Sequence, residues 1–296
     1  MNGRICRALL LALALVGVCA TVAQAASEPG PSKGNNVAHV KGDAGHGKSS
    51  SPLLLYHGGP VMSSGAQVTP IFWGTSWTGS SDKVSGMATF YSGVGGTTYL
   101  GTNTEYTDSS GAHVSTSVSY GGSLIDTSAA PKGAPQESDI LAEVAKEIPH
   151  PVANGYYPVY VDTPRGHTKY CAWHSTGTAN GVTVRFGFFF NLDGDPGCDP
   201  ESPATGYSQG TAALGNVSGH ELSEMLTDPN LNAWYDASGA ENSDKCAWTF
   251  GSQLITFKNR SQWKIQGNWS NAAYNASRGY TDSAAGFVRG CIDGTN

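Results

Sequence analysis

His220-Glu221-Leu222-Ser223-Glu224 is the stretch of this sequence best suited to chemistry. On a helix, residues four apart lie one above the other, so His220 and Glu224 share a face. The two histidines of a His-Glu-x-x-His motif grip zinc with that spacing, and the glutamate between them serves as general base. Here Glu224 stands at the second ligand position. Glutamate is a competent zinc ligand, and its negative charge makes the metal a weaker Lewis acid. The motif alone is a weak signal, because such a five-residue pattern also arises as a polar helix face bonded to loops. Its surroundings strengthen it. Leu214, Val217, Leu222, Met225 and Leu226 make the other faces apolar, so the helix packs into a core. Burying an imidazole with two carboxylates is costly unless something positive pairs with them, and a divalent cation meets that demand.

A third ligand is expected downstream. Glu241 follows Glu224 by 17 residues, and Asp244 stands three further on. The reading assigns His220, Glu224 and Glu241 as metal ligands and Zn2+ as the cofactor. Asp244 is the neighbour that holds a ligand histidine in its tautomer. Asp228 and Asp236 compete for the third position. Glu221 is the expected base, with His174 and Tyr235 as candidates to face an oxyanion. The loop Asn191 to Asp199 is acidic but lacks the glutamate that closes an EF-hand, so it reads as a solvated loop.

Several elements must position these groups. Thr211 to Thr227 reads as the motif helix, ended by Asp228-Pro229 because a residue before proline avoids helical dihedrals. Residues 81–91 and 137–148 read as further helices. Residues 68–73, 156–161 and 182–190 read as strands, and 254–257 with 262–269 as a late hairpin. Phe188, Phe189 and Phe190 are apolar in succession, which marks a strand covered on both faces. Helices and strands without regular alternation give an α+β class: one zincin-like domain over 52–296, its mixed sheet packed on the buried motif helix.

The first 25 residues read as a signal peptide, with Arg4 and Arg7, an apolar run from Ala8 to Ala20, and Ala23-Gln24-Ala25 as the cleavage signal. Residues 26–51 are polar and glycine-rich and read as a disordered arm. Cys171, Cys198, Cys246 and Cys291 remain after the leader. An even count in an exported chain suggests two disulfides, and pairing sequence neighbours (171 with 198, 246 with 291) closes the shorter loops. Only 14% of residues are charged and the net charge is −6, with no basic stripe, so nucleic acid is not an expected partner. No segment after the leader is long and apolar enough to span a membrane. The expected setting is extracellular, and the expected partner is a peptide or a cell-wall or surface ligand.

Taken in order, several of these strings resemble one family. Tyr56-His-Gly-Gly-Pro-Val-Met, Ile71-Phe-Trp-Gly with Trp77, and Cys171-Ala-Trp-His are similar to segments of the exordium-like, phosphate-induced secreted proteins. So is Gly219-His-Glu-Leu-Ser-Glu-Met-Leu-Thr-Asp-Pro, followed by Asn232-Ala-Trp-Tyr, Glu241-x-x-Asp244 and Cys246. The resemblance spans Tyr56 to Cys291. It implies an extracellular or wall-associated protein and brings no settled biochemical activity. It also implies that His220, Glu221, Glu224, Glu241 and Asp244 form one unit. The sequence departs from the plant pattern at Asp228, where plant members tend to carry asparagine.

Overall fold

The architecture follows from one broad sheet and the helices that cover its two faces. It is described by a computed structural model for residues 37–43, 52–79, 81–202, 206–281 and 289–296. The expected signal peptide lies outside the described residues, as do 26–36 and 44–51 of the expected arm.

The chain begins with β1 (Val37–His39), β2 (Leu55–Tyr56), β3 (Ala66–Val68) and β4 (Ile71–Trp73). Helices α1 (Asp82–Val94) and α2 (Thr98–Gly101) lead to β5 (Val118–Tyr120) and β6 (Leu124–Asp126). Helix α3 (Glu137–Glu147) precedes three long strands, β7 (Gly155–Pro164), β8 (Tyr170–Ala179) and β9 (Val182–Asn191). Helix α4 (Gln209–Thr227) carries the motif. Short elements close the chain: β10 (Trp234–Tyr235), a 3-10 turn (Asp244–Cys246), β11 (Ile255–Thr256), β12 (Gln262–Trp263), β13 (Asn268–Trp269), α5 (Asn271–Asn275) and β14 (Cys291–Ile292).

The main sheet has eight strands and runs β1-β8-β9-β7-β3-β5, with β4 and β6 continuing the last two positions. β3 and β4 both pair in parallel with β7, and Pro70 separates them because it has no N–H to give a ladder. β7 and β9 are parallel, whereas β8 runs antiparallel to β9 and β1 antiparallel to β8. The fold is therefore α+β with a mixed sheet. β9 is central, as its run of phenylalanines requires.

Side chains alternate across β8. His174 faces α4, where it meets Glu221. Ser175 faces the other way and donates to Glu137 of α3. Helices α3 and α4 thus cover opposite faces. α1 joins α4 on its face, where hydroxyls of Tyr91, Tyr160 and Ser218 form a buried chain with 2.8 Å steps.

α4 starts where Ser208 accepts the backbone N–H of Thr211, and every residue from Gly210 to Thr227 is buried. Two glycines let other chain segments approach it closely. A Cβ on Gly215 would meet Trp263 at 2.3 Å, and one on Gly219 would meet Ile265 at 2.6 Å. The 262–269 segment can therefore lie directly on α4.

Both expected disulfides are present, Cys171–Cys198 and Cys246–Cys291. No helix among the described residues is long and apolar enough to cross a membrane. Two expectations are corrected. Val37–His39 is not disordered: it forms β1, where Val37 and Ala38 are buried and paired to β8. Two buried residues inside a polar stretch are masked when composition is averaged. The late hairpin is shorter than expected, β11 with β12 alone, because Trp269 leaves it to pair with Cys291.

Candidate metal centre

Three parts of the chain converge beneath the sheet. α4 supplies His220 and Glu221, with Glu224 one turn further on. β8 supplies His174. The segment entering the 3-10 turn supplies Glu241 and Asp244, and Cys246 anchors that turn through its disulfide. All six are buried: Glu221 and Glu224 are 0% exposed, His174 and His220 1%, Glu241 3% and Asp244 6%.

These groups form two triads that share Glu224, and in each the donor atoms lie within 4.8 Å of one another. In the first, His174 Nδ1 lies 3.1 Å from Glu221 Oε2 and 3.5 Å from Glu224 Oε2. In the second, His220 Nε2 lies 2.9 Å from Glu224 Oε1 and 3.4 Å from Asp244 Oδ1. Zinc with nitrogen and oxygen donors at about 2.0–2.2 Å sets neighbouring donors about 3.3–3.5 Å apart in a tetrahedron. The histidine-to-carboxylate distances in both triads, 2.9–3.5 Å, are close to that spacing.

The second coordination layer separates them. Gln266 Nε2 lies 2.8 Å from His220 Nδ1. The amide is fixed in that orientation from both sides. Its nitrogen donates to the Ser243 carbonyl at 2.9 Å, and its oxygen accepts the Trp248 N–H at 3.2 Å. An N–H therefore points at Nδ1, which must accept it. The proton of a neutral His220 then sits on Nε2, facing the carboxylates. A neutral imidazole in that tautomer has no lone pair on Nε2 to offer a metal. His174 has the opposite surroundings. Its Nδ1 faces two carboxylates, while its Nε2 faces Glu241 Oε2 at 3.7 Å.

The formal charge of the centre is acidic, and the burial of its carboxylates draws protons onto it. Four carboxylates meet two imidazoles, so protonating both rings still leaves two negative charges. Burial would lower the pKa of His174, but hydrogen bonds and charge from Glu221 and Glu224 override it and push the ring up to about 9. Burial opposes protonation of His220 while Glu224 and Asp244 favour it and push the ring well above the usual histidine range; the Gln266 N–H aimed at Nδ1 opposes a second proton there. Burial raises Glu221 to about 7, with His174 moderating the shift. Glu241 is raised well above the usual carboxylate range by burial, then by the charges of Asp228 and Glu224. Glu224 Oε2 and Glu241 Oε2 are buried without a hydrogen bond. Unsatisfied buried oxygens of this kind are uncommon and call for a partner.

The remaining candidates fall outside both triads. Asp236 accepts from the buried Lys245 at 3.0 Å, so it is committed to that ion pair. Asp228 caps the 232–233 backbone, accepting from Asn232 and Ala233 at 2.6 and 2.7 Å. Glu241, expected as third ligand, sits against His174 rather than in the His220–Glu224 triad, and Asp244 takes that place. Tyr235 stacks on the exposed His57 with centroids 3.6 Å apart. Burial first, and then the charges of Asp228 and Glu241, raise its hydroxyl.

Two contributors carry no motif. Gln266 is one amide in an irregular segment. Ala38 of β1 donates its backbone N–H to Glu221 Oε1 at 3.1 Å. Compared with family models, with characterised proteins and with solved structures, the chain finds no match.

Proposed function

We propose that this chain is an exported, zinc-dependent hydrolase of zincin-like architecture that acts on peptide bonds, its cation held by His174, Glu221 and Glu224. One observation carries the reading: four carboxylates and two imidazoles are sealed from water, and Glu224 Oε2 and Glu241 Oε2 meet His174 at 3.5 and 3.7 Å without a hydrogen bond. A cation would relieve the formal negative charge of such a buried cluster. The motif helix lying under an antiparallel strand of a mixed sheet supports the zincin-like comparison. The two disulfides support export.

In this assignment His174 binds through Nδ1 and turns Nε2 toward Glu241. Ligating histidines commonly direct their second nitrogen at a carboxylate in this way. His220 acts one step out. Its Nε2 proton faces Glu224 Oε1 and Asp244 Oδ1 and fixes how Glu224 presents Oε2. Glu221, which the motif suggests as base, becomes a ligand, and His174 moves from oxyanion partner to ligand. The bound ion supplies Lewis-acid polarisation of a water and of the scissile carbonyl. Glu241, its Oε2 3.7 Å from His174 Nε2 on the side of the ring away from the proposed ion, would hold that ring in place. Tyr235 lies on the Glu241 side, where its hydroxyl can face the developing oxyanion.

The test is turnover of a quenched-fluorescent peptide library by the zinc-loaded full chain. The reading expects cleavage that stops on chelation and returns with zinc. Cleavage that survives chelation contradicts it.

A second reading is a non-catalytic, exordium-like protein that binds a wall or surface ligand. The full burial of Glu221 and Glu224 favours it, because a catalytic centre must admit substrate. It expects zinc to raise the melting temperature with no cleavage of any peptide.

A further inference from the structure

β1 is an unusual edge strand. It has three residues and comes from a stretch that is otherwise polar. It pairs with only one end of β8, Val37 opposite Trp173, Ala38 opposite Ala172 and His39 opposite Tyr170. The pairing stops one residue short of His174. In the middle of the strand, beside the register shift between Ala38 and His39, the Ala38 N–H donates to Glu221 Oε1 at 3.1 Å. The strand's exit is held by side contacts: Trp248 Nε1 donates to the His39 carbonyl at 2.8 Å, and Lys41 pairs with Glu201.

We propose that the outer edge of β8 is a binding groove for an extended peptide with a small apolar residue at the position of Ala38, and that residues 37–39 are its resident occupant. Strand addition to a sheet edge recognises any extended backbone, and pockets at alternate positions select side chains. Here Val37 and Ala38, consecutive and so on opposite faces of the strand, each fill a buried site. A peptide seated in the groove offers its N–H to Glu221 as Ala38 does, and its chain runs past His174. That this peptide is also the substrate rests on the hydrolase reading above. The groove itself does not. An occupant in the same chain competes intramolecularly, so the intact chain disfavours dilute peptides. The same occupancy accounts for the sealed centre.

The experiment places a specific protease site between Asp43 and Pro52 of the full chain. A fluorescent peptide of residues 37–43 is titrated into the zinc-loaded protein before and after cleavage, by anisotropy, with zinc content measured in each sample. After cleavage and removal of the fragment, saturable binding is expected, at least about tenfold tighter than to the uncut chain. The same peptide with Ala38→Pro, which lacks the N–H, is expected not to bind. Equal binding before and after cleavage, or none to folded cleaved protein, overturns the groove. If the cleaved form unfolds, the uncut Ala38→Pro chain serves in its place, and affinity for added peptide no higher than wild type overturns the proposal. Peptide binding without zinc removes the metal reading and keeps the groove. Zinc without peptide binding does the reverse.

Discussion

Gln266 donates to Nδ1 of His220 across 2.8 Å, and the Ser243 carbonyl and Trp248 N–H hold the amide so that it cannot turn over. That contact directs the proton of a neutral His220 to Nε2, which in the proposed assignment makes this histidine a support for Glu224. Gln266→Leu leaves the buried His220 Nδ1 and the half-buried Trp248 N–H without their partner, at about 1–3 kcal/mol for a buried group, while the Ser243 carbonyl keeps the Cys246 N–H at 3.0 Å. The expected result is a marked fall in the urea midpoint with zinc stoichiometry unchanged. Loss of zinc without loss of stability contradicts the assignment.

Glu241 is expected to orient His174 rather than to bind metal. Removing a carboxylate that faces a ligating histidine lowers metal affinity about 10–100-fold without abolishing it. Glu241→Gln is therefore expected to keep zinc at high concentration, to bind it more weakly in a chelator competition, and to lose peptide cleavage. Unchanged zinc affinity contradicts the role.

The pH dependence has a definite sign. His174 is raised from 6.5 to about 9, so its protonated form stabilises the metal-free fold fully below about 6.5, and this is lost as pH rises through 9. Glu221 is raised from 4.5 to about 7, so its neutral form favours the fold at low pH, and this is lost as pH rises through 7. Both shifts weaken the metal-free protein between about pH 5 and pH 9. Zinc needs deprotonated ligands, so its binding strengthens over the same interval. The gap in melting temperature between zinc-loaded and chelated protein is expected to widen as pH rises. A gap that narrows contradicts the buried acidic centre.

The disulfides brace the centre from both sides. Cys171 precedes His174 by three residues and Cys246 follows Asp244 by two. Bridges with sequence separations of 27 and 45 are worth about 3.5 and 4 kcal/mol in the chain-entropy account. Replacing Cys246 and Cys291 by serine is expected to lower the melting temperature and also zinc affinity, because the Glu241–Asp244 segment loses its anchor. Reduced stability with unchanged zinc affinity contradicts the second part.

The sequence made some of this legible and hid the rest for identifiable reasons. α4 was readable because its apolar residues recur at helical spacing around the motif and proline follows it. The disulfides were readable because sequence neighbours close the shortest loops. β8 was not identified as a strand. Its inner half is buried on both faces, so Cys171-Ala-Trp-His-Ser shows no clean alternation of apolar and polar residues. The role of His174 depends on which face of that unrecognised strand it occupies. Gln266 reaches α4 only because Gly215 and Gly219 permit close approach, a tertiary fact with no local signature. β1 was hidden by the polarity of its surroundings.

The most direct test is elemental analysis of the purified chain beside His174→Ala and His220→Gln variants, each confirmed folded by circular dichroism. The account expects about one zinc per chain in the wild type, near-complete loss in His174→Ala, and retention in His220→Gln. A folded wild type that takes up no divalent metal, or a His174→Ala protein that holds as much zinc as the wild type, contradicts it.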